Sequence, residues 1–121
     1  MKIKILKQSF TVCKIRDVSN VDFSDEFCFL GKTDEEISLV CKSEKTPDNT
    51  IERENGWKAF RIEGVLDFSL IGILSKISKI LADNKVGIFA VSTYNTDYIF
   101  VKERDLNKSI MALENYGYKI I

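Results

Sequence analysis

Two periodicities divide the chain. In the first half, apolar and polar positions alternate in short runs, the period of strands. Residues 2–7 put Ile3, Ile5 and Lys7 on one face, and residues 9–15 form a second run around Phe10, Val12 and Ile15. Residues 16–26 are polar and irregular. A compact apolar run over 27–31 and an alternating run over 36–42, through Ile37, Leu39 and Cys41, are joined by a polar turn, which predicts a hairpin. Residues 42–56 read as a linker, because the stretch is polar, holds Pro47 and ends in the turn signal Asn55-Gly56. The boundary between two units is therefore expected near residue 55, giving 1–55 and 56–121.

The second half changes period twice. Residues 57–63 alternate as a strand with Phe60 and Ile62 on one face, and 64–68 read as a loop. Leu70, Ile73, Leu74, Ile77, Ile80 and Leu81 then recur at helical spacing through about residue 83. Asp67 or Ser69 is the expected cap at the start, and Asn84 a left-handed cap at the end. Residues 86–93 are nearly all apolar, as suits a strand covered on both faces. Tyr94-Asn95 falls at a hairpin tip, and 97–102 returns. Asp105 is the expected cap of a second helix bearing Leu106, Ile110, Leu113 and Tyr116; Gly117 stops it, and 118–121 form a last short strand. The order β-α-β-β-α-β is the ferredoxin-like split βαβ arrangement, with two helices on one face of a four-stranded antiparallel sheet. The predicted class is α+β.

The two hairpins can be laid over each other without a gap, residues 27–42 on 88–103. Phe27 then matches Ile88, Leu30 matches Val91, Leu39 matches Phe100, and Val40 with Val101 is the single identity. Val21-Asp22-Phe23-Ser24 also echoes Leu66-Asp67-Phe68-Ser69. On this reading the first half is the same fold with its first helix largely removed. A sheet so poorly covered is expected to pack side by side with the second half or with another chain.

Composition narrows the function classes. The 121 residues include 18 basic and 18 acidic side chains, so the neutral chain has no general attraction for nucleic acid or anionic lipid. There is no histidine, which excludes Ser-His-Asp and Cys-His catalysis and removes the commonest nitrogen ligand of zinc. No catalytic residues, no metal and no cofactor are expected, and no phosphate-cradling glycine loop is present. Cys13, Cys28 and Cys41 read as reduced thiols in strands. No apolar run approaches the roughly 20 residues that span a bilayer, and the alternating start lacks a signal-peptide core. The expected location is the cytoplasm.

Candidate chemistry gathers at two loops of the second half. The helix entry, Asp67 through Gly72, offers unpaired backbone N–H groups and the positive end of the helix dipole to a carboxylate. Gly72 would let a ligand come close. The hairpin Ser92-Thr93-Tyr94-Asn95-Thr96-Asp97 offers hydroxyls from Thr93 and Thr96, an aromatic wall from Tyr94 and an ammonium partner in Asp97. A zwitterion would find a partner for each end. Capping, turn formation and surface solvation account for the same residues equally well. Tyr98 and Phe100 share one strand face. If it faces outward it could stack RNA bases, or it could be covered by protein.

The stretches Gly56–Gly64, Leu66–Leu74 and Ile88–Tyr98 together resemble the ACT-domain subgroup of small bacterial proteins that also includes the CASTOR arginine sensors. The Ser-Thr-Tyr-x-Thr-Asp hairpin carries most of the likeness, and the hairpin from Phe27 to Cys41 resembles that subgroup's degenerate first unit. The resemblance implies tandem ACT units with a small-molecule ligand, an amino acid, between them. It also implies homodimers and an allosteric, regulatory role toward a partner enzyme or regulator. Ligand contacts carried over by motif are Ser69, Leu70, Gly72, Ile73, Thr93, Tyr94, Thr96 and Asp97. Leu70 is a departure: it offers no acidic group to a basic ligand end, which weighs against arginine. The alternatives are a protein-interaction or dimerisation module without a ligand and, further off, RNA binding on the sheet face.

Overall fold

The computed structural model describes residues 1–63 and 72–121. Among these, eight strands and two α-helices follow one another: β1 (Lys2–Ile5), β2 (Phe10–Ile15), β3 (Cys28–Lys32), β4 (Ile37–Lys42), β5 (Thr50–Ile62), α1 (Ile73–Asp83), β6 (Ile88–Ser92), β7 (Asp97–Lys102), α2 (Leu106–Asn115) and β8 (Lys119–Ile120). A 3-10 turn follows β4 (Ser43–Lys45) and another follows β7 (Glu103–Asp105). The α+β class and the βαββαβ order of the second half are as the sequence reads. The chain forms two compact units, one of Met1–Lys7 with Lys58–Ile121, the other of Gln8–Trp57. The later break falls between Trp57 and Lys58. The first seven residues, however, group with the C-terminal unit.

That placement changes the sheet of the C-terminal unit. Its strand order is β6-β7-β5-β1-β8, five strands instead of the expected four. β1 runs antiparallel to the end of β5, with Ile3 opposite Ile62, and parallel to β8, with Ile3 opposite Ile120. Alternation in 2–7 marks a strand but carries no information about which sheet receives it. The helices cover one face. Ile77, Ile80 and Leu81 of α1 and Ala112 and Leu113 of α2 pack with Ile3, Phe60, Ile62, Ile99 and Val101 of the strands. Burying each such Ile or Leu contributes about 1.5–3 kcal/mol.

Both helices end in the same hydrogen-bond pattern. At α2, Gly117 takes φ 92, Gly117 N–H donates to Glu114 O (2.9 Å) and Tyr118 N–H donates to Leu113 O (3.2 Å). At α1, Lys85 N–H donates to Ala82 O and Val86 N–H to Leu81 O, both at 2.9 Å. The left-handed residue there is Lys85 (φ 61), not Asn84, whose φ is −95. Asn84 instead turns its side-chain amide onto Ile80 O at 2.8 Å. Asp105 directly precedes α2 as expected, but its carboxylate makes no capping bond. It lies 3.8 Å from Lys108.

In the N-terminal unit the order is β3-β4-β2-β5. Cys13, Ile15, Leu39 and Cys41 form its core, with Val21, Cys28 and Ile37 against them. Residues 16–27 contain no helix, in line with a unit that has lost its first one. The expected linker is half wrong: Thr50–Trp57 are strand, paired with β2. Phe10 faces Trp57 and Val12 faces Glu54, so three steps on β5 match two on β2. Gly56 absorbs the extra residue at φ 83. Asn55-Gly56 thus makes a bulge, where the dipeptide alone reads as a turn. Asn55 Oδ1 accepts from the buried Thr11 hydroxyl at 2.8 Å.

Candidate functional site

The hairpin β6–β7 presents the second group of candidate residues. Its register places Ser92 opposite Asp97, and the turn is closed by Thr93 N–H donating to Thr96 O at 2.8 Å. The Thr93 hydroxyl donates to Thr96 O (2.9 Å) and accepts from Thr96 N–H (3.4 Å). Thr96 is buried and its hydroxyl donates to Ile62 O at 2.7 Å. That bond sets the hairpin against the end of β5, from which the chain runs on to Gly72 and α1. Tyr94 at the tip is 79% exposed. Asp97 is half-buried, and its Oδ1 accepts from the Ser92 hydroxyl at 2.5 Å. Among the described residues no cation is paired with this carboxylate.

At the helix entry, Ser69 and Leu70 lie outside the described residues, as do the cap candidates Asp67 and Ser69. Gly72 immediately precedes the helix, with φ 82 and no capping side chain. The first helical bond is Lys76 N–H to Gly72 O at 2.8 Å, which leaves the N–H groups of Ile73, Leu74 and Ser75 without an intrahelical partner. No acidic residue occupies the first turn. Ile73 packs at the edge of the helix-side core. A carboxylate is the ligand chemistry this entry favours. An ammonium is what Asp97 favours.

Sequence reasoning missed a neighbouring polar group. Arg61 donates from Nε to Glu63 Oε1 (3.2 Å) and from Nη1 to the Tyr98 hydroxyl (3.4 Å), with its guanidinium 5.9 Å from the Tyr98 ring centre. The alternating strand around Arg61 carried no motif to announce it. Phe100 is fully buried and stacks on Phe89 at 4.6 Å, so it offers no platform to a base. Tyr98, on the same face, is half-buried beside Arg61.

All three cysteines are free thiols. Burial pushes Cys13 and Cys28 above the ordinary value, and Cys41 up to about 11. Among the described residues no group of His, Cys, Asp and Glu could hold a metal ion. No helix there is long and apolar enough to cross a membrane.

The C-terminal unit is ferredoxin-like α+β, and the strand-rich unit of Gln8–Trp57 holds no α-helix. The family model described as ACT domain matches residues 52–115, more than half of the chain, and the chain belongs to that family. Domains of this family are regulatory and often bind amino acids. The crystal structure of protein Atu0741 from Agobacterium tumefaciens is similar, at 30% identity and TM-score 0.87, over 99% of this chain and 91% of that one. Protein VC0802 from Vibrio cholerae, described as of unknown function and a possible transport protein, shares the fold at 17% identity (TM-score 0.78, 93% and 86% covered). So does the ligand-free regulatory subunit of aspartate kinase from Thermus thermophilus, at 8% identity (TM-score 0.67, 95% and 96% covered). Comparison with the curated proteins gave no match.

Proposed function

We propose that this chain is a non-catalytic sensor that binds a small amino acid and passes its occupancy to a partner enzyme or regulator in the cytoplasm. The observation that carries the reading is the Asp97 carboxylate, which among the described residues takes a hydrogen bond from Ser92 but no cation, on a hairpin anchored at the end of β5. The ligand's ammonium would lie at Asp97, flanked by Thr93 and Tyr94. Its carboxylate would take the N–H groups that follow Gly72, at Ile73; Ser69 and Leu70 are the further contacts that the family resemblance implies. Thr96 supports the site through its bond to Ile62 O. The ligand would be held where one ACT unit meets another, in a homodimer. Leu70 favours a small or apolar side chain over a basic one.

The test is a thermal-shift screen of the full chain against the twenty amino acids, repeated with Asp97→Asn. A ligand at about 100 times its Kd adds roughly 2.7 kcal/mol of stability. One amino acid raising Tm, with the rise lost in the variant, is the expected result. No rise with any of the twenty would leave a dimerisation or partner-binding module whose pocket takes no amino acid.

A further inference from the structure

The helix side of the C-terminal unit holds a cleft of about 440 Å³ that none of the hairpin residues lines. One wall is α1, through Lys76, Lys79, Ile80 and Asp83; the other carries Met1, Tyr116 and Tyr118, the two tyrosines set on either side of the left-handed Gly117. A smaller hollow of about 240 Å³ shares Met1, Lys76 and Tyr118 with it and extends toward Gly72. The larger volume lies within the roughly 300–1,000 Å³ of small-molecule sites. Ile80 is 6% exposed and forms an apolar floor, whereas Tyr116 is left 64% exposed at the rim.

The charges are unequal. Lys79 pairs with Asp83 at 2.9 Å, which neutralises both. The Lys76 ammonium has no hydrogen-bond or ion-pair partner among the described residues, and it lines both hollows. The cleft therefore sets the Lys76 ammonium, with Met1 also at its edge, among apolar and aromatic walls. The geometry points to a second binding site, for a small organic monoanion with an aromatic or branched apolar body. Its carboxylate meets Lys76 and its body lies between Tyr116, Tyr118 and Ile80. A neutral analogue loses the charge contact. An amino acid brings an ammonium toward a cationic cleft, so this ligand class differs from that of the Asp97 site.

The experiment is a titration of the ¹⁵N-labelled full chain with 3-phenylpropionate, with 3-phenylpropanamide and L-phenylalanine as controls, followed through the backbone amide signals. The expected result is saturable shifts at residues 76–83 and 116–118, with both controls binding about tenfold more weakly or worse. Lys76→Met should weaken 3-phenylpropionate about tenfold at unchanged Tm, and Lys76→Arg should restore most of the binding. The inference is overturned if these amides do not shift, if the shifts fall on the 92–97 hairpin alone, if the amide binds as well as the acid, or if Lys76→Met changes nothing. Shifts at 92–97 report the Asp97 site and shifts at 76–83 and 116–118 report this one, so the two readings fail separately.

Discussion

Thr33 and Thr93 stand at the same point of two hairpins sixty positions apart. Thr33 N–H donates to Glu36 O at 2.9 Å, and Thr93 N–H to Thr96 O at 2.8 Å. Each hydroxyl then serves its own turn, accepting from Glu35 and Glu36 N–H in the first hairpin and bridging to Thr96 in the second. The correspondence continues: β3 with β6, β4 with β7, and the 3-10 turn at Ser43 with that at Glu103. Phe29 with Phe89 and Lys42 with Lys102 are further identities in this frame. Thr33→Val and Thr93→Val should each cost about 1 kcal/mol by denaturant unfolding, since each loses turn hydrogen bonds at a solvated site. Replacement by serine should cost less than half as much.

Thr96 differs from Thr93 because its hydroxyl is buried against the Ile62 carbonyl. Thr96→Val keeps the shape and leaves that carbonyl without its donor, an expected loss of about 1–3 kcal/mol. Thr96→Ser should stay close to wild type. The comparison also sorts roles in the site. If Thr96→Ser keeps full amino-acid affinity while Thr96→Val loses stability and affinity together, Thr96 positions the hairpin.

How much was legible follows from how local each signal is. The period of α1, the apolar run of β6 and the Gly117 stop are local, and each sits within a few residues of where the sequence puts it. The internal repeat was legible in outline but one residue out of step, because the single identity Val40 with Val101 outweighed a weaker pattern. A one-residue slip exchanges the two faces of a strand. In the sixty-residue frame Leu39 falls on Ile99 and Cys41 on Val101, all four buried. The insertion of β1 between β5 and β8, and the bulge at Gly56, depend on pairing partners far along the chain and leave no local trace. Of the candidate residues, Thr93, Thr96 and Asp97 lie on one hairpin, whereas Arg61 lay hidden in an ordinary alternating strand.

Lys85 holds a left-handed conformation at the end of α1 that glycine adopts without penalty. The two hydrogen bonds around it use backbone atoms alone, so they survive substitution. Lys85 is exposed. Lys85→Gly should therefore raise stability by about 0.5–1 kcal/mol, read as a higher denaturant midpoint at constant slope. A decrease would show that the lysine side chain contributes more than its backbone strain costs.

Cys41 links the N-terminal unit to pH. Desolvation raises its thiol from the ordinary 9.0 to about 11, so the folded state holds its proton more tightly than the unfolded state. The stability tied to that proton is intact below pH 9 and is lost as pH climbs from about 9 through about 11. A rise of that size is worth at most about 3 kcal/mol. Cys41→Ala should be less stable at neutral pH, through the lost volume, yet fall less steeply across this window. Equal slopes for the two proteins would remove Cys41 from the alkaline transition. At neutral pH the native thiol should also react with iodoacetamide far more slowly than free cysteine.

Gly56 is the residue on which the bulge in β5 turns. Nothing lies within 4 Å of a Cβ added there, so a side chain meets no steric obstacle beyond its own backbone. The cost of substitution is the left-handed φ of 83 alone. Gly56→Ala should lose about 1–2 kcal/mol, and Gly56→Asn less, because asparagine tolerates that region. Deleting Gly56 is a different perturbation. It removes the extra residue, and every side chain of β5 on one side of the deletion then changes face. Trp57, Ala59 and Phe60 are all buried now. Deletion should therefore cost far more than substitution, with loss of the cooperative unfolding transition. A deletion variant as stable as Gly56→Ala would show that the two halves of β5 can slip past their partners without the bulge.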